Sequence, residues 1–354
     1  MLSTPLERRQ GRLPPPFVSV PGLPNLRDIG GYELPSHLYP PGSSIRKGVL
    51  YRSASPHACP PTSLLRLRYE LDIRNVFDLR SGPEAAKRGA GAAALDGRLR
   101  AAGIKRVWAP VYAKQDTTGL DRISRMRLYG QQGTDVGTLS RIAFGIALRR
   151  SSSTISLCQH FFKNYTPLPP PKTKKARPDC STCPSVSNKN ETQGFVATYR
   201  NILIKGAPAF RRFFRHLASP TTTSATLIHC IGGKDRTGMA ICLLLSFLGL
   251  PAEAVAAEYA LTELGLRASH AARIKRLLAS GAFSGSTAAD SPDRAAAERM
   301  ASARPEFMLD TIEMVEKEWG SAEAYMRVTL RLGDEDLRRL RDKFVLYGAE
   351  EQVQ

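Results

Sequence analysis

One loop constrains this chain more than any other feature: His229-Cys230-Ile231-Gly232-Gly233-Lys234-Asp235-Arg236-Thr237-Gly238. It follows Ala225-Thr226-Leu227-Ile228 and precedes an apolar run from Met239 to Leu248, so it reads as the turn between a strand and a helix. A helix that begins near Arg236 or Thr237 leaves its first N–H groups unpaired and adds partial positive charge there. Chain wrapped ahead of such a terminus forms a concave set of backbone donors, a natural seat for a phosphate. Gly232, Gly233 and Gly238 let the backbone approach the oxygens closely.

The side chains of the loop suit covalent phosphoryl transfer. Cys230 sits at the base of the seat, where backbone donors, Lys234 and Arg236 favour the thiolate. A thiolate can attack phosphorus and split one hard step into two. Arg236 presents a planar fork that matches two phosphate oxygens. Thr237 can donate its hydroxyl to the sulfur, and His229 is read as orienting the loop and tuning Cys230. Lys234 places a point charge that can meet an additional phosphate. The bare Cys-x5-Arg pattern is weak, because six cysteines and this arginine content would produce it by chance roughly one time in two. The full ten-residue run between a strand and a helix is far more specific; the competing reading is a buried structural cysteine beside a helix-capping loop.

The reaction needs a proton for the leaving oxygen and a base for water. Asp235, inside the loop, is the first candidate. Asp78, at a strand's carboxyl end, is its partner or alternative. The competing role for Asp78 is an ion pair with an arginine such as Arg80, and for Asp235 it is orienting the loop or Arg236. Arg27, Asp28 and Arg52 are expected to form a structural polar network. Asp116 is a weak third acid.

His229 to Gly238 resembles the phosphate loop of the protein tyrosine phosphatase superfamily. The resemblance is to the fungal and bacterial tyrosine/serine phosphatase branch, whose usual loop reads His-Cys-Thr-Ala-Gly-Lys-Asp-Arg-Thr-Gly. Other segments resemble that branch too: Asn25 to Tyr32, Val49 to Ser53, Val76 to Ser81, Glu258 to Leu266, and Pro305 to Tyr325. Only roughly residues 1–18 and 140–193 fall outside it. The resemblance implies a three-layer α/β sandwich, with a short, mainly parallel central sheet flanked by helices and a helical C-terminal half. It implies a cysteine-dependent phosphatase acting on phosphotyrosine, phosphoserine/threonine or phosphoinositides, without metal or other cofactor. Residues 267–304 correspond to a helical lid in some relatives. Ile231-Gly232 stands where the branch has Thr-Ala, which keeps open a second reading, a phospho-binding module with weak or no turnover. A sulfur-transfer enzyme is disfavoured by Gly233 to Gly238 and by Asn25 to Tyr32.

The pattern along the chain agrees. Leu23 to Tyr32 reads as turn-rich; Val49 to Arg52, Val76 to Leu79 and Arg106 to Val111 read as strands; Thr62 to Leu71 reads as a helix and Glu84 to Arg88 as the start of another. Phe195, Tyr199, Ile202 and Leu203 have helical spacing, interrupted at Gly206 and Pro208, before Phe210, Phe213, Phe214 and Leu217 resume it in a second helix. These aromatics are read as core. Ser321 and Asp334 look like helix N-caps.

The 354 residues carry a net charge of +19, of which residues 146–190, with eight Lys/Arg and one acidic residue, supply +7. That charge fits a plain solvated basic face, and it also suits phosphorylated or phosphoinositide substrates or a peripheral contact with an anionic membrane face. No zinc-finger or RNA-binding signature accompanies it, so nucleic acid is not expected as the primary ligand. No apolar run reaches the length of a spanning helix, and Met1 to Pro16 lacks a signal peptide's apolar core, so the cytoplasm or nucleus is expected.

Residues 1–18 are expected to form a disordered arm ahead of a single domain over 19–350. Within it, 145–193, rich in Ser, Pro and Lys, reads as a disordered basic insertion, or as retained intron sequence. Cys158, His160, Cys180 and Cys183 give that stretch a weak zinc-like spacing.

Overall fold

The computed structural model describes residues 13–86, 91–112, 189–280 and 291–348, which belong to one compact unit assembled from either side of residues 134–188. The strands are β1 (Arg27–Asp28), β2 (Ser44–Ile45), β3 (Leu50–Ser53), β4 (Ile73–Asp78), β5 (Lys105–Trp108), β6 (Ala225–His229) and β7 (Val345–Leu346). Five of them form a sheet in the order β1-β3-β6-β4-β5. β3, β6, β4 and β5 run parallel, and β1 closes one edge antiparallel to β3. β6, which feeds the glycine loop, is the middle strand, and all five of its residues are buried. β2 and β7 pair separately as a short antiparallel ribbon.

β3 and β6 are buried at every residue because both faces of the sheet are covered, as a parallel sheet requires. On one face Ile73, Val76 and Leu227 pack with Leu64 and Leu67 of α1 (Pro61–Tyr69) and Leu95 and Leu99 of α3 (Gly91–Ala101). The short α2 (Gly82–Ala86) lies between these helices in the chain. On the other face Phe77 and Ile228 join a larger core with α4 (Lys189–Ala218) and α5 (Asp235–Phe247). The C-terminal half continues as α6 (Ala252–Leu266), α7 (His270–Leu278), α8 (Pro292–Ala301), α9 (Pro305–Trp319), α10 (Ala322–Val328) and α11 (Asp334–Phe344). The result is the mixed α/β architecture expected, with a mainly parallel sheet between helical layers.

Several local expectations are revised. The aromatic segment is one helix, α4, which runs through Gly206 and Pro208 without a break. Proline in a helix interior costs about 3 kcal/mol. Against that, Phe195, Tyr199, Ile202, Leu203, Phe210, Phe213, Phe214 and Leu217 are all 2% exposed or less. Each such burial is worth roughly 1.5–3 kcal/mol, so one continuous stripe outweighs one lost bond. The carbonyl that Pro208 leaves unpaired belongs to Ile204, a residue 43% exposed, where water can reach it. Gly206 permits a close approach: a Cβ there would lie 3.0 Å from the Phe210 ring and 3.2 Å from Val111.

α4 also begins inside the expected insertion. Residues 189–193 form its first turn, and Thr192 is buried and donates to Asp310. At the other terminus, the end of the expected arm is docked: Val18 N–H donates to Leu26 O at 3.0 Å, and the Arg27 guanidinium lies 5.5 Å over the Phe17 ring. The two-residue β1 falls where only turns were expected, and α3 was not anticipated. Ser321 caps α10, accepting from Ala324 N–H at 3.0 Å. The cap of α11 is Gly333 rather than Asp334; Asp334 is the first helical residue, and the Asp336 carboxylate reaches back to Gly333 N–H.

Candidate active site

The glycine loop leaves the carboxyl end of β6 and enters α5, and its backbone is held from outside. Ile231 O accepts from Ser55 N–H at 3.0 Å. Gly232 O accepts from Asn25 Nδ2 at 3.0 Å, and Gly233 O accepts from Arg52 Nη2 at 2.6 Å. Lys234 O takes a longer bond from the same guanidinium nitrogen at 3.4 Å. In a trans peptide the N–H points opposite the preceding carbonyl. Fixing four successive carbonyls outward therefore turns the N–H groups of Gly232 to Asp235 toward the hollow of the loop. No side chain caps the start of α5, so its first N–H groups add to the same positive concavity.

Only glycine suits position 233. Its φ is +68°, and a Cβ would lie 2.1 Å from Ser53 O. The residues that grip the loop are themselves locked. Arg27 donates to Glu258 Oε1 at 2.8 Å and to Asn25 Oδ1, and Arg52 donates to Glu258 Oε2. Arg27, Arg52 and Glu258 are all 2% exposed or less, so the network is a buried one. It differs from the expected set: Glu258 of α6 joins the arginines, while Asp28 turns away to accept from Gly30 and Gly48 N–H.

Cys230 is buried at the base of the loop. Burial pushes the thiols of Cys59 and Cys242 up to about 12, which marks both as structural. Thr237 Oγ1 is buried and has no hydrogen-bond partner among the described residues. His229 Nδ1 donates to Cys230 O at 2.9 Å, which leaves Nε2 as the unprotonated nitrogen of the neutral ring, 3.8 Å from Asp78 Oδ1. Burial drives the imidazole down to about 4, against the pull of Asp78.

Asp78 is fully buried. It accepts from Arg80 Nε at 2.9 Å and Nη2 at 2.7 Å, and from Arg106 Nη2 at 2.8 Å. Burial by itself would raise its carboxyl, but His229, Arg80 and Arg106 more than reverse this and hold it well below the usual carboxylate range. His229 is neutral at physiological pH, so there the two guanidiniums carry the effect.

Arg236 is 8% exposed and paired end-on with Glu84 of α2: Nη1 donates at 2.6 Å and Nη2 at 3.0 Å. Glu84 in turn accepts from Ser81 N–H and Oγ, each at 2.9 Å. The end edge of the guanidinium is thus occupied, and the side edge carrying Nε–H is left for an oxyanion.

Asp235 accepts from Tyr199 Oη at 2.9 Å and lies 3.3 Å from Lys234 Nζ, both at Oδ1. Its side chain keeps 28% exposure. Lys234 turns away from an extra-phosphate role: Nζ donates to Met300 O at 2.7 Å and Ser302 O at 2.8 Å, and sits 5.1 Å over the Phe195 ring.

A tyrosine phosphatase family model matches residues 18–346. The chain belongs to the tyrosine phosphatase family. A search of curated proteins found no relative that matches it. Family membership points to a phosphoester hydrolase that acts on phosphorylated molecules.

The family loop residues from His229 to Gly238 come together as one site, with Asp78 beneath it. Asp116, Cys158, His160, Cys180 and Cys183 lie outside the described residues. Sequence reasoning missed Glu84, Arg106, Tyr199, Tyr259 and Glu258 as parts of the site. Only Glu84 left a local signal, as Ser81-Gly82-Pro83-Glu84 has the spacing of a helix capping box. Of the region corresponding to a lid, α7 and α8 are described: Arg273 of α7 donates to Ala301 O at 2.7 Å, beside the carbonyls that hold Lys234. Among the described residues no helix is long and apolar enough to cross a membrane.

Proposed function

We propose that the chain is a cysteine-dependent phosphomonoesterase in which Cys230 is the nucleophile, Arg236 the oxyanion clamp and Asp235 the general acid and base. The phosphoryl group of the ester sits in the loop, its oxygens on the inward N–H groups and on the side edge of Arg236. In the first step the Cys230 thiolate forms an S–P bond as the ester P–O bond breaks, and Asp235 passes its proton to the leaving oxygen. In the second step the Asp235 carboxylate takes a proton from water. The water oxygen bonds to phosphorus, the S–P bond breaks, and the thiolate is released with the Thr237 hydroxyl as donor.

One observation carries the choice of acid. Asp78 is fully buried with both oxygens on guanidiniums, and Glu84 is bound end-on to Arg236, whereas Asp235 keeps an exposed edge and one oxygen, Oδ2, without a partner among the described residues. Asp78 is therefore assigned to holding Arg80, Arg106 and His229 in place. The direction of Lys234 favours esters with a single phosphate, such as phosphotyrosine or phosphoserine in a protein. A phosphoinositide would need another cation for its further phosphates.

The test is hydrolysis of phosphotyrosine peptide, phosphoserine peptide and phosphoinositide vesicles with chelator present, by wild type, Cys230→Ser, Asp235→Asn and Asp78→Asn. Cys230→Ser should abolish turnover and retain phosphate binding. Asp235→Asn should lose roughly 10²- to 10⁴-fold in rate, the usual range for a general acid. Hydrolysis by Cys230→Ser equal to wild type would overturn the nucleophile. An inert wild type that still binds phosphate would make the chain a phospho-binding module.

A further inference from the structure

Asp235 is anchored through one oxygen only. Tyr199 Oη of α4 donates to Oδ1 at 2.9 Å, and Lys234 Nζ approaches the same atom at 3.3 Å. Tyr199 Oη also lies 2.6 Å from Tyr259 Oη of α6. A hydroxyl has a single proton. With the Tyr199 proton given to the carboxylate, the 2.6 Å contact is Tyr259 donating to Tyr199. Burial, reinforced by the charge of Asp235, pushes the Tyr259 hydroxyl well above 10, so this second donor keeps its proton. Both rings are almost fully buried and meet edge to face, 6.2 Å between centroids. The chain of hydroxyls is therefore fixed by two packed helices.

We infer that Tyr199 is a positioning residue for proton transfer: with Tyr259 behind it, it holds Asp235 by Oδ1 and leaves Oδ2 as the atom that carries the proton. The inference rests on Asp235 being the general acid, as proposed above. A neutral carboxyl gains little from a phenol at Oδ1. Once Oδ2 gives up its proton to the leaving oxygen, the group becomes a carboxylate and the same bond becomes charge-assisted. The bond thus strengthens as the reaction proceeds, the kind of interaction that accelerates a step instead of merely tightening binding. Among the described residues, the other charges facing Asp235 are Lys234 in its own loop, Arg273 of α7, and, through Lys234, Arg273 and Tyr259, Glu263 of α6.

The experiment compares kcat/KM, which reports the first step, for two aryl phosphates: phenyl phosphate, whose leaving oxygen needs a proton, and p-nitrophenyl phosphate, whose leaving oxygen does not. Tyr199→Phe should lose roughly tenfold on phenyl phosphate and less than about twofold on p-nitrophenyl phosphate, the size expected for one hydrogen bond to a charged group. Tyr259→Phe should give the same pattern at smaller size, and serves alone if Tyr199→Phe fails to fold. Equal losses on both substrates would overturn the inference. Asp235→Asn separates the two claims. If it shows no leaving-group dependence, the acid assignment itself falls. If it shows strong dependence while Tyr199→Phe shows none, only the positioning role falls.

Discussion

Four carboxylates crowd the loop, and their partners sort them. Asp78 is saturated by Arg80 and Arg106, Glu258 by Arg27 and Arg52, and Glu84 by Arg236. Each offsets the cost of a buried guanidinium, and losing one partner of such a pair costs about 3–5 kcal/mol because the other charge stays buried. Asp235 alone among them keeps an oxygen without a partner among the described residues. The backbone is as demanding as these side chains. Gly233→Ala places a Cβ 2.1 Å from Ser53 O at a φ of +68°, so the loop has to move. The expected outcome is loss of phosphate affinity and activity with the far side of the sheet intact. Phosphate titration by calorimetry, beside a near-native circular dichroism spectrum, checks it. Full activity in Gly233→Ala would show that the loop tolerates a different backbone path.

Among the helices, the contact most relevant to the proposed function joins α8 to the glycine loop through a buried lysine. Lys234 Nζ holds the carbonyls of Met300 and Ser302, Arg273 holds Ala301 O, and Ala303 N–H donates to Glu263 at 2.8 Å. Ile274, Ala297 and Ala301 form only a small core of their own, so α7 and α8 depend on these polar ties more than their neighbours do. Lys234→Met fills the space over Phe195 but leaves two carbonyls unpaired, a penalty of roughly 1–3 kcal/mol each when buried. Faster amide exchange across residues 291–303 is the expected result, with the ratio of phosphoinositide to phosphotyrosine hydrolysis unchanged. A selective loss of phosphoinositide hydrolysis with unchanged exchange would return Lys234 to the role of substrate contact. α4 makes a related point at the level of an element. Gly206 and Pro208 are helix breakers by local propensity, and the run of buried aromatics on both sides overrides them.

Across the whole molecule, buried titratable groups give stability a definite pH dependence. His229 falls from 6.5 in the unfolded chain to about 4 when folded, so the unfolded chain binds its proton first and stability is lost as pH drops from 6.5 toward 4. Glu84 falls from 4.5 to about 2, by Arg236 overcoming the effect of burial, so its contribution is present above 4.5 and lost between 4.5 and 2. The urea midpoint should therefore decline steadily below pH 6.5. Glu84→Gln should flatten the decline only below 4.5; an unchanged slope there would mean that Glu84 is not paired in solution. By itself the sequence determined the loop, its strand and helix, the main apolar stripes and hence the family, because each depends on residues close together in the chain. Tertiary structure decided which carboxylate is spent and which is free, since the decisive partners are remote: Glu84 lies 152 residues from Arg236, and Glu258 lies 231 from Arg27. It also settled the direction of Lys234 and the hydroxyl pair behind Asp235. Burial and pairing are properties of packed surfaces, and no local spacing records which distant element arrives to supply them.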